Sequence, residues 1–371
     1  MMKRNEIPDV DSWNLHQLAR AVSDHSNGIK RAWTAVHEAC TFVKSLEEKV
    51  NTSTFPFFRC PEESLQVAII AATEMHLGLA TAIAAILTPP FLAGLIEQEE
   101  VTQRFGAKAA SILTELDALK SCKLQSGTIR NYPSIPDLTS PHILAILLQI
   151  CDIIRVHCSG VILENDETTS DYFSSQLLFE LKCFYIPLSH RIQLYNVQTK
   201  LADFWLKRAD TLSYYAITAK LGMTKVQRQK RLDLISEEVY SVVKNHGIDF
   251  VMKKRVKSVY SIWRKIQKLK VEFNQINDLA AIRIIIMGMQ GKTLAEEKIV
   301  CWKVLSIISE IYEPMCSVIR DWISVPRVSS YESLHLTFET NKYGRLEVQI
   351  RTERMDYIAE QGEAAHWKYK L

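Results

Sequence analysis

Ala280-Ala281-Ile282-Arg283-Ile284-Ile285-Ile286-Met287 is short, apolar and rich in β-branched residues. A run of this kind reads as a strand buried on both faces in the middle of a sheet. Downstream, Leu334–Thr340 and Arg345–Thr352 flank the Gly-containing turn Asn341–Gly344 and read as a hairpin. Lys292–Tyr312 and Glu353–Trp367 have helical spacing and are expected to pack on that sheet. The tail of the chain is therefore α+β.

Upstream, helical patterns dominate. Trp13–Val50 reads as one or two helices broken near Ser23–Asn27, and Glu62–Met75 is amphipathic. Further helices are expected at Val101–Ser121, Ile143–Val156, Leu177–Leu194, Gln198–Leu206 and Gln227–Asn245. Leu77–Ile96 carries no charge over twenty residues. That length spans a bilayer, but Pro89-Pro90 would break a spanning helix, so it is read as two buried core helices meeting at a kink.

Composition supports the same division. The 371 residues contain only 12 Gly and 11 Pro, which favours long helices over a turn-rich all-β fold. Eight cysteines without CxxC spacing argue against a zinc ribbon or a redox motif. With no apolar segment in Met1–Asp24, a reduced cytoplasmic setting is expected. The net charge of +3 hides an asymmetry: residues 231–371 carry 22 basic and 18 acidic residues. The excess concentrates in Val251–Lys270, with eight Lys/Arg and no acid, a block suited to phosphates, nucleic acid or anionic lipid, or to a solvated helix face.

Chemistry is sought first on the last strand. Period-two alternation puts Leu346, Val348 and Ile350 on the core face and lines up Glu347, Gln349 and Arg351 opposite. A carboxylate, an amide and a guanidinium on one strand suit a site that positions a hydroxyl and a phosphate; a plain solvated face is the alternative. Asp278 precedes the Ala280–Met287 strand, where it suits a Mg²⁺ ligand or a loop cap. Arg255 and Lys257 precede a helix starting near Ser258, with Lys265 two turns in, and together they form an anion site. No P-loop or GxGxxG occurs; Gly288–Thr293 lacks the P-loop spacing.

Arg255–Lys265 (RVKSVYSIWRK), Asn277–Arg283 (NDLAAIR), Tyr331–His335 (YESLH), Glu347–Thr352 (EVQIRT) and Ala359–Lys370 (AEQGEAAHWKYK) stand in order. They resemble the synthetase domain of the long RelA/SpoT homologues, which make the alarmone (p)ppGpp. More weakly, Phe184–Arg191 (FYIPLSHR) is similar to a helix of the family's hydrolase half. The resemblance implies a helical HD-type domain over residues 1–195, a helical linker over 196–230, and a nucleotidyltransferase-like synthetase domain with a mixed sheet over 231–371. It implies transfer of the β,γ-pyrophosphoryl group of ATP to the 3′-hydroxyl of GDP or GTP, with Mg²⁺ as cofactor. Asp278 would hold Mg²⁺, and Glu347 would be general base or second metal ligand. Arg255, Lys257, Ser261, Lys265 and Arg283 would bind ATP. Tyr331 would stack on guanine, with Arg320, Arg327, His335 and Gln349 near the acceptor nucleotide.

The sequence also departs from the family pattern. Ser317-Val318-Ile319-Arg320-Asp321 stands where the family has Gly-Arg-Phe-Lys-Asp, and Ser329-Ser330 replaces Asn-Gly before Tyr331. These changes put rate and acceptor choice in question and keep open an impaired enzyme that acts as a nucleotide- or partner-binding regulator. In the helical half, Cys60, Thr88-Pro89, Leu92-Ala93 and Leu163 stand where the family has the His and Asp ligands of its Mn²⁺ site, and their neighbours. No hydrolase activity is expected. Long members of the family continue into a half that contacts the ribosome; this chain is either a piece of such a protein or a short form, and ribosome contact would run only through that further region. No membrane partner is expected.

Overall fold

The computed structural model describes residues 13–23, 26–46, 61–121, 139–158, 175–315, 319–326, 330–340 and 344–361. The chain divides into two compact units, Met1–Trp205 and Leu206–Leu371.

Within the described residues the first unit is helical. It begins with α1 (Trp13–Val22), α2 (Ser26–Leu46), α3 (Pro61–Glu74) and α4 (Leu79–Leu92). Next come α5 (Gln98–Phe105), α6 (Ala107–Ser121) and α7 (Ser140–Cys158). The unit ends with α8 (Ser175–Glu180), a π-helical stretch at Leu181–Tyr185, α9 (Ile186–Arg191) and most of α10 (Tyr195–Ala209). The uncharged run differs from the expected kinked pair: α4 is one helix with Pro89 and Pro90 in its last turn. Proline has no N–H, so two i→i−4 bonds are forgone there. The ladder resumes with Ala93 N–H on Pro89 O and Leu95 N–H on Pro90 O, and the Thr88 hydroxyl donates to Ala84 O. Eleven of its fourteen residues are buried, so packing holds the helix where propensity would not. The expected Val101–Ser121 helix is instead two, because Gly106 at φ +95° turns the chain between α5 and α6. Among the described residues no helix is long and apolar enough to cross a membrane.

The second unit is a mixed sheet with helices, as the α+β reading expects. It contains α11 (Thr211–Leu221), α12 (Lys225–Asn245), β1 (Phe250–Val256), α13 (Val259–Leu269) and β2 (Ala280–Ile286). After these come α14 (Leu294–Ser309), β3 (Glu313–Pro314), β4 (Arg320–Asp321), β5 (Leu334–Thr340), β6 (Gly344–Thr352) and α15 (Glu353–Gln361). The strand order is β1-β2-β6-β5-β3, with β4 also on β5. Only β2 and β6 run parallel; the other pairs are antiparallel. The isoleucine-rich stretch thus lies between two partners. β1 itself is not apparent in the sequence. Three consecutive cations, Lys253, Lys254 and Arg255, mask its alternation, so the basic block splits between a strand and α13.

Alternation sorts the two faces of this sheet. Even-numbered residues, among them Ile282, Ile284, Leu336, Phe338, Val348 and Ile350, enter one core with Ile235 and Val239 of α12 and Val304 and Ile308 of α14. Odd-numbered residues fall on the other face in lateral rows. One row runs Arg255–Ala281–Glu347–Thr337, and the next runs Lys253–Arg283–Gln349–His335, extended by Arg320 of β4, which pairs with His335.

Candidate active site

The site is built where these rows meet the start of α13. Ser258 caps α13, accepting the Ser261 N–H at 3.1 Å. Lys257 N–H bonds Leu279 O at 2.9 Å, extending the β1–β2 ladder by one step and bringing Lys257 beside Asp278. Asp278 then receives two ammonium groups: Lys257 Nζ on Oδ2 at 2.7 Å and Lys265 Nζ on Oδ1 at 2.8 Å. The Asn274–Asn277 segment before it is tied to β6 through Arg345, whose Nη1 donates at 2.8 Å to Asn274 O and Asn277 Oδ1.

Positive charge exceeds negative at this corner. Burial pulls the Lys257 ammonium below the usual lysine range, Lys265 and Arg255 add repulsion, and Asp278 beside it does not compensate. Burial acts to raise the Asp278 carboxyl, but the two lysines outweigh it and hold it below the usual range. A cluster short of negative charge is prepared for a polyphosphate.

One strand over, Glu347 is 7% exposed. Its Oε1 accepts from His335 Nδ1 at 3.2 Å and lies 3.7 Å from Arg320 Nη1; Oε2 accepts from Gln349 Nε2 at 3.4 Å. Burial pushes its carboxyl up and the charge of Asp278 adds to that, yet His335 and Arg320 bring it below the ordinary value. Burial also draws His335 below its usual value, against the opposing pull of Glu347. The Tyr331 hydroxyl lies 3.1 Å from His335 Nε2 and also takes a hydrogen bond from Arg351. Trp322 stands edge-on to both rings, with centroids 5.5 Å from Tyr331 and 4.8 Å from His335.

The sequence-derived residues thus form two neighbouring groups. Arg255, Lys257, Ser261, Lys265 and Asp278 lie around the N-terminus of α13, while Arg320, Tyr331, His335, Glu347 and Gln349 gather around β5 and β6. Arg283 joins the polar face but is heavily engaged, donating to Gln349 Oε1, Asp356 Oδ1 and Glu360 Oε1. Arg327, Ser317, Val318, Ser329, Cys60 and Leu163 lie outside the described residues. Ser330 adopts φ +57°, a left-handed conformation that glycine takes more readily. Thr293 is the N-cap of α14 in a capping box with Glu296, so the Gly288–Thr293 stretch is a helix start. Trp322 and Asp356 escape sequence reading. Asp356, on α15, receives Lys253, Arg283 and Arg351, a convergence visible only once α15 is placed against the sheet.

Asp278, just before β2, and Glu347 of β6 are two hard oxygen donors, each already drawn to cations, and a Mg²⁺ ion completed by substrate phosphates fits that donor set. Among the described residues no group of three or more His, Cys, Asp or Glu is arranged to hold a metal alone.

Comparison with known proteins gives concordant matches. A family model described as the region found in RelA / SpoT proteins matches residues 254–371. A GTP pyrophosphokinase of Myxococcus xanthus is 29% identical over 312 residues, 82% of this chain and 39% of that protein. A guanosine-3′,5′-bis(diphosphate) 3′-pyrophosphohydrolase of Aquifex aeolicus is 28% identical over 359 residues, 96% of this chain and 48% of that protein. A bifunctional (p)ppGpp synthase/hydrolase of Escherichia coli is 27% identical over 364 residues, with the same two coverages. The chain spans less than half the length of each of these three relatives. The small alarmone synthetase 1 of Bacillus subtilis, crystallised with its product pppGpp, overlays 38% of this chain and 78% of its own at 21% identity. Its TM-score of 0.31 is too low to bear on the fold.

Proposed function

From the match of residues 254–371 to the region found in RelA / SpoT proteins, we propose that the chain is a member of that family and that its second unit is an ATP:GDP/GTP 3′-pyrophosphokinase. The observation that carries this reading is the unbalanced cation cluster of Arg255, Lys257 and Lys265 around Asp278, next to a buried carboxylate supported by an imidazole. The first group suits a triphosphate, and the second suits a hydroxyl that must lose a proton.

In the proposed reaction Arg255, Lys257 and Lys265 bind the ATP phosphates and release charge repulsion among themselves. Tyr331, Arg320, Arg327 and Gln349 hold the acceptor nucleotide, with Tyr331 against the base. The acceptor 3′-oxygen bonds to the β-phosphorus as the bond from that phosphorus to the α,β-bridging oxygen breaks, and AMP leaves. The hydroxyl proton passes to Glu347, which is ionised at neutral pH and 3.2 Å from an orienting imidazole. Magnesium, which Asp278 and Glu347 would hold with the phosphates, supplies neutralisation of the charge on the transferred group.

The same reading has the helical unit inactive as a hydrolase, leaving it a regulatory role. At two of the four substituted positions the replacements are Thr88, whose hydroxyl is spent on Ala84 O, followed by buried Pro89, and Leu92. None of these side chains is a manganese ligand of the family's His/Asp type.

The test is incubation with labelled ATP, GDP or GTP and Mg²⁺, with tetra- or pentaphosphate as the expected product. Absence of product, with ribosomes present and with a chain extended at its C-terminus, would sink the assignment. Glu347→Gln is expected to abolish product while circular dichroism stays that of the parent chain. Manganese-dependent release of pyrophosphate from ppGpp would refute the inactive hydrolase.

A further inference from the structure

The proposed function gives the Tyr331 ring a stacking role and leaves its hydroxyl without one. That hydroxyl sits in a chain of hydrogen bonds whose direction is set at both ends. At one end a guanidinium can only donate, and Arg351 Nη2 donates to the Tyr331 oxygen. At the other end a carboxylate can only accept, so His335 Nδ1 carries the proton it shares with Glu347 Oε1. The Tyr331 hydroxyl lies 3.1 Å from His335 Nε2, within hydrogen-bond distance of the ring's far nitrogen. Arg351, Tyr331, His335 and Glu347 are thus joined link by link.

The far end of this chain is rigidly built. Arg351 is 3% exposed. Its Nε donates to Ser333 Oγ at 3.0 Å and its Nη1 to Asp356 Oδ1 at 3.2 Å, and its guanidinium carbon lies 4.9 Å from the Tyr331 ring centroid. The neighbouring Glu332 is pinned separately by Arg354 at 2.5 Å. Arg351 near the end of β6 and Arg354 at the start of α15 therefore fasten the segment that carries Tyr331.

We infer that Arg351 is a positioning residue for the transfer reaction: held by Asp356 and Ser333, it fixes the Tyr331 hydroxyl, which through His335 orients the Glu347 carboxylate. The inference rests on the proposed function in that Glu347 must act on the acceptor hydroxyl. It separates two jobs in one side chain, the ring serving acceptor binding and the hydroxyl serving the rate of transfer.

Tyr331→Phe isolates the hydroxyl because it keeps the ring. The expected result is a kcat lower by about tenfold or more, the usual size of an effect on groups that orient a reacting residue, with the GDP KM within about twofold of the parent. Arg351→Lys is expected to lower kcat by a similar factor. The double variant should be no worse than about the poorer single one, since residues acting as a unit do not add. Thermal melts establish that the variants are folded, and Tyr331→Phe alone carries the test if Arg351→Lys is not. A readout independent of turnover is the ¹⁵N-indole resonance of Trp322, assigned by its loss in Trp322→Phe. It should move in Tyr331→Phe without nucleotide, because Trp322 touches both Tyr331 and His335. In an active parent protein, an unchanged kcat for Tyr331→Phe or full additivity in the double variant overturns the inference. If the parent makes no product, the proposed function falls, and the Trp322 resonance then judges the hydrogen-bonded chain: movement supports it and a stationary signal overturns it.

Discussion

Lys257 shows how one side chain records what its site lacks. Its ammonium is half-buried, close enough to Arg255 and Lys265 to feel their charge, and matched by the single carboxylate of Asp278. In the proposed function a triphosphate would supply the missing negative charge. Lys257→Ala is therefore expected to raise the ATP KM about tenfold or more while leaving the GDP KM close to the parent value, since one charge-assisted hydrogen bond is worth about 1.5–3 kcal/mol. Initial rates at varied ATP and fixed GDP check this, and an ATP KM that does not move would place the triphosphate elsewhere. The identity of these residues is legible in the sequence, because basic side chains ahead of a helix start advertise an anion site. Their shared partner is not legible, because the Lys257–Asp278 contact depends on β1 pairing with β2, and β1 is hidden under its own charges.

At the scale of elements, two contacts repay testing. Asp210 caps α11 by accepting the Ser213 N–H at 3.1 Å and also accepts Trp263 Nε1 of α13 at 3.3 Å. Hydrogen bonds from Ser213, and then from Trp263, hold its carboxyl below the usual range despite a small opposing desolvation. A carboxylate lowered in the folded state contributes stability above its unfolded pKa of about 3.9, and that contribution is lost as pH falls through the lower folded value. Asp210→Ala should cost about 0.5–1 kcal/mol at pH 7, the low end for a helix cap, and the difference should shrink toward pH 3 in urea titrations. A difference independent of pH would show that the charge is not involved. In the first unit, Arg155 of α7 bridges Glu63 of α3 at 3.3 Å and the nearly inaccessible Asp152 at 2.8 Å. Arg155→Leu removes one ion-pair partner of that buried carboxylate and is expected to cost about 1–3 kcal/mol, read as a lower denaturation midpoint. Helix existence was evident in the sequence here, whereas helix ends were not. The Pro-Pro pair lies inside one helix because tertiary burial outweighs two missing donors, and Gly106 breaks a pattern whose periodicity continues across it.

At the scale of the whole molecule, the near-neutral total charge conceals a basic second unit whose excess lies on β1 and α13, beside the candidate phosphate site. Because the Debye length falls from ~10 Å at about 0.1 M to ~3 Å at about 1 M salt, ATP binding should weaken severalfold from low salt to about 0.3 M KCl. GDP binding should respond less, as its proposed contacts include a ring and an amide; equal salt slopes by calorimetry would contradict the division into two subsites. A helical part followed by an α+β part, the strand over residues 280–286 and the later hairpin are all legible in the amino-acid order, as are the residue types gathered at the candidate site, because short-range periodicity and ordered local motifs carry them. Which side chains meet depends on the packed fold. The parallel pairing of β2 with β6 sets Asp278 and Glu347 within electrostatic reach, the β5–β6 register brings His335 to Glu347, and α15 delivers Asp356 to Arg351. These juxtapositions join residues far apart in the chain, and their energies come from burial and pairing that no local pattern encodes.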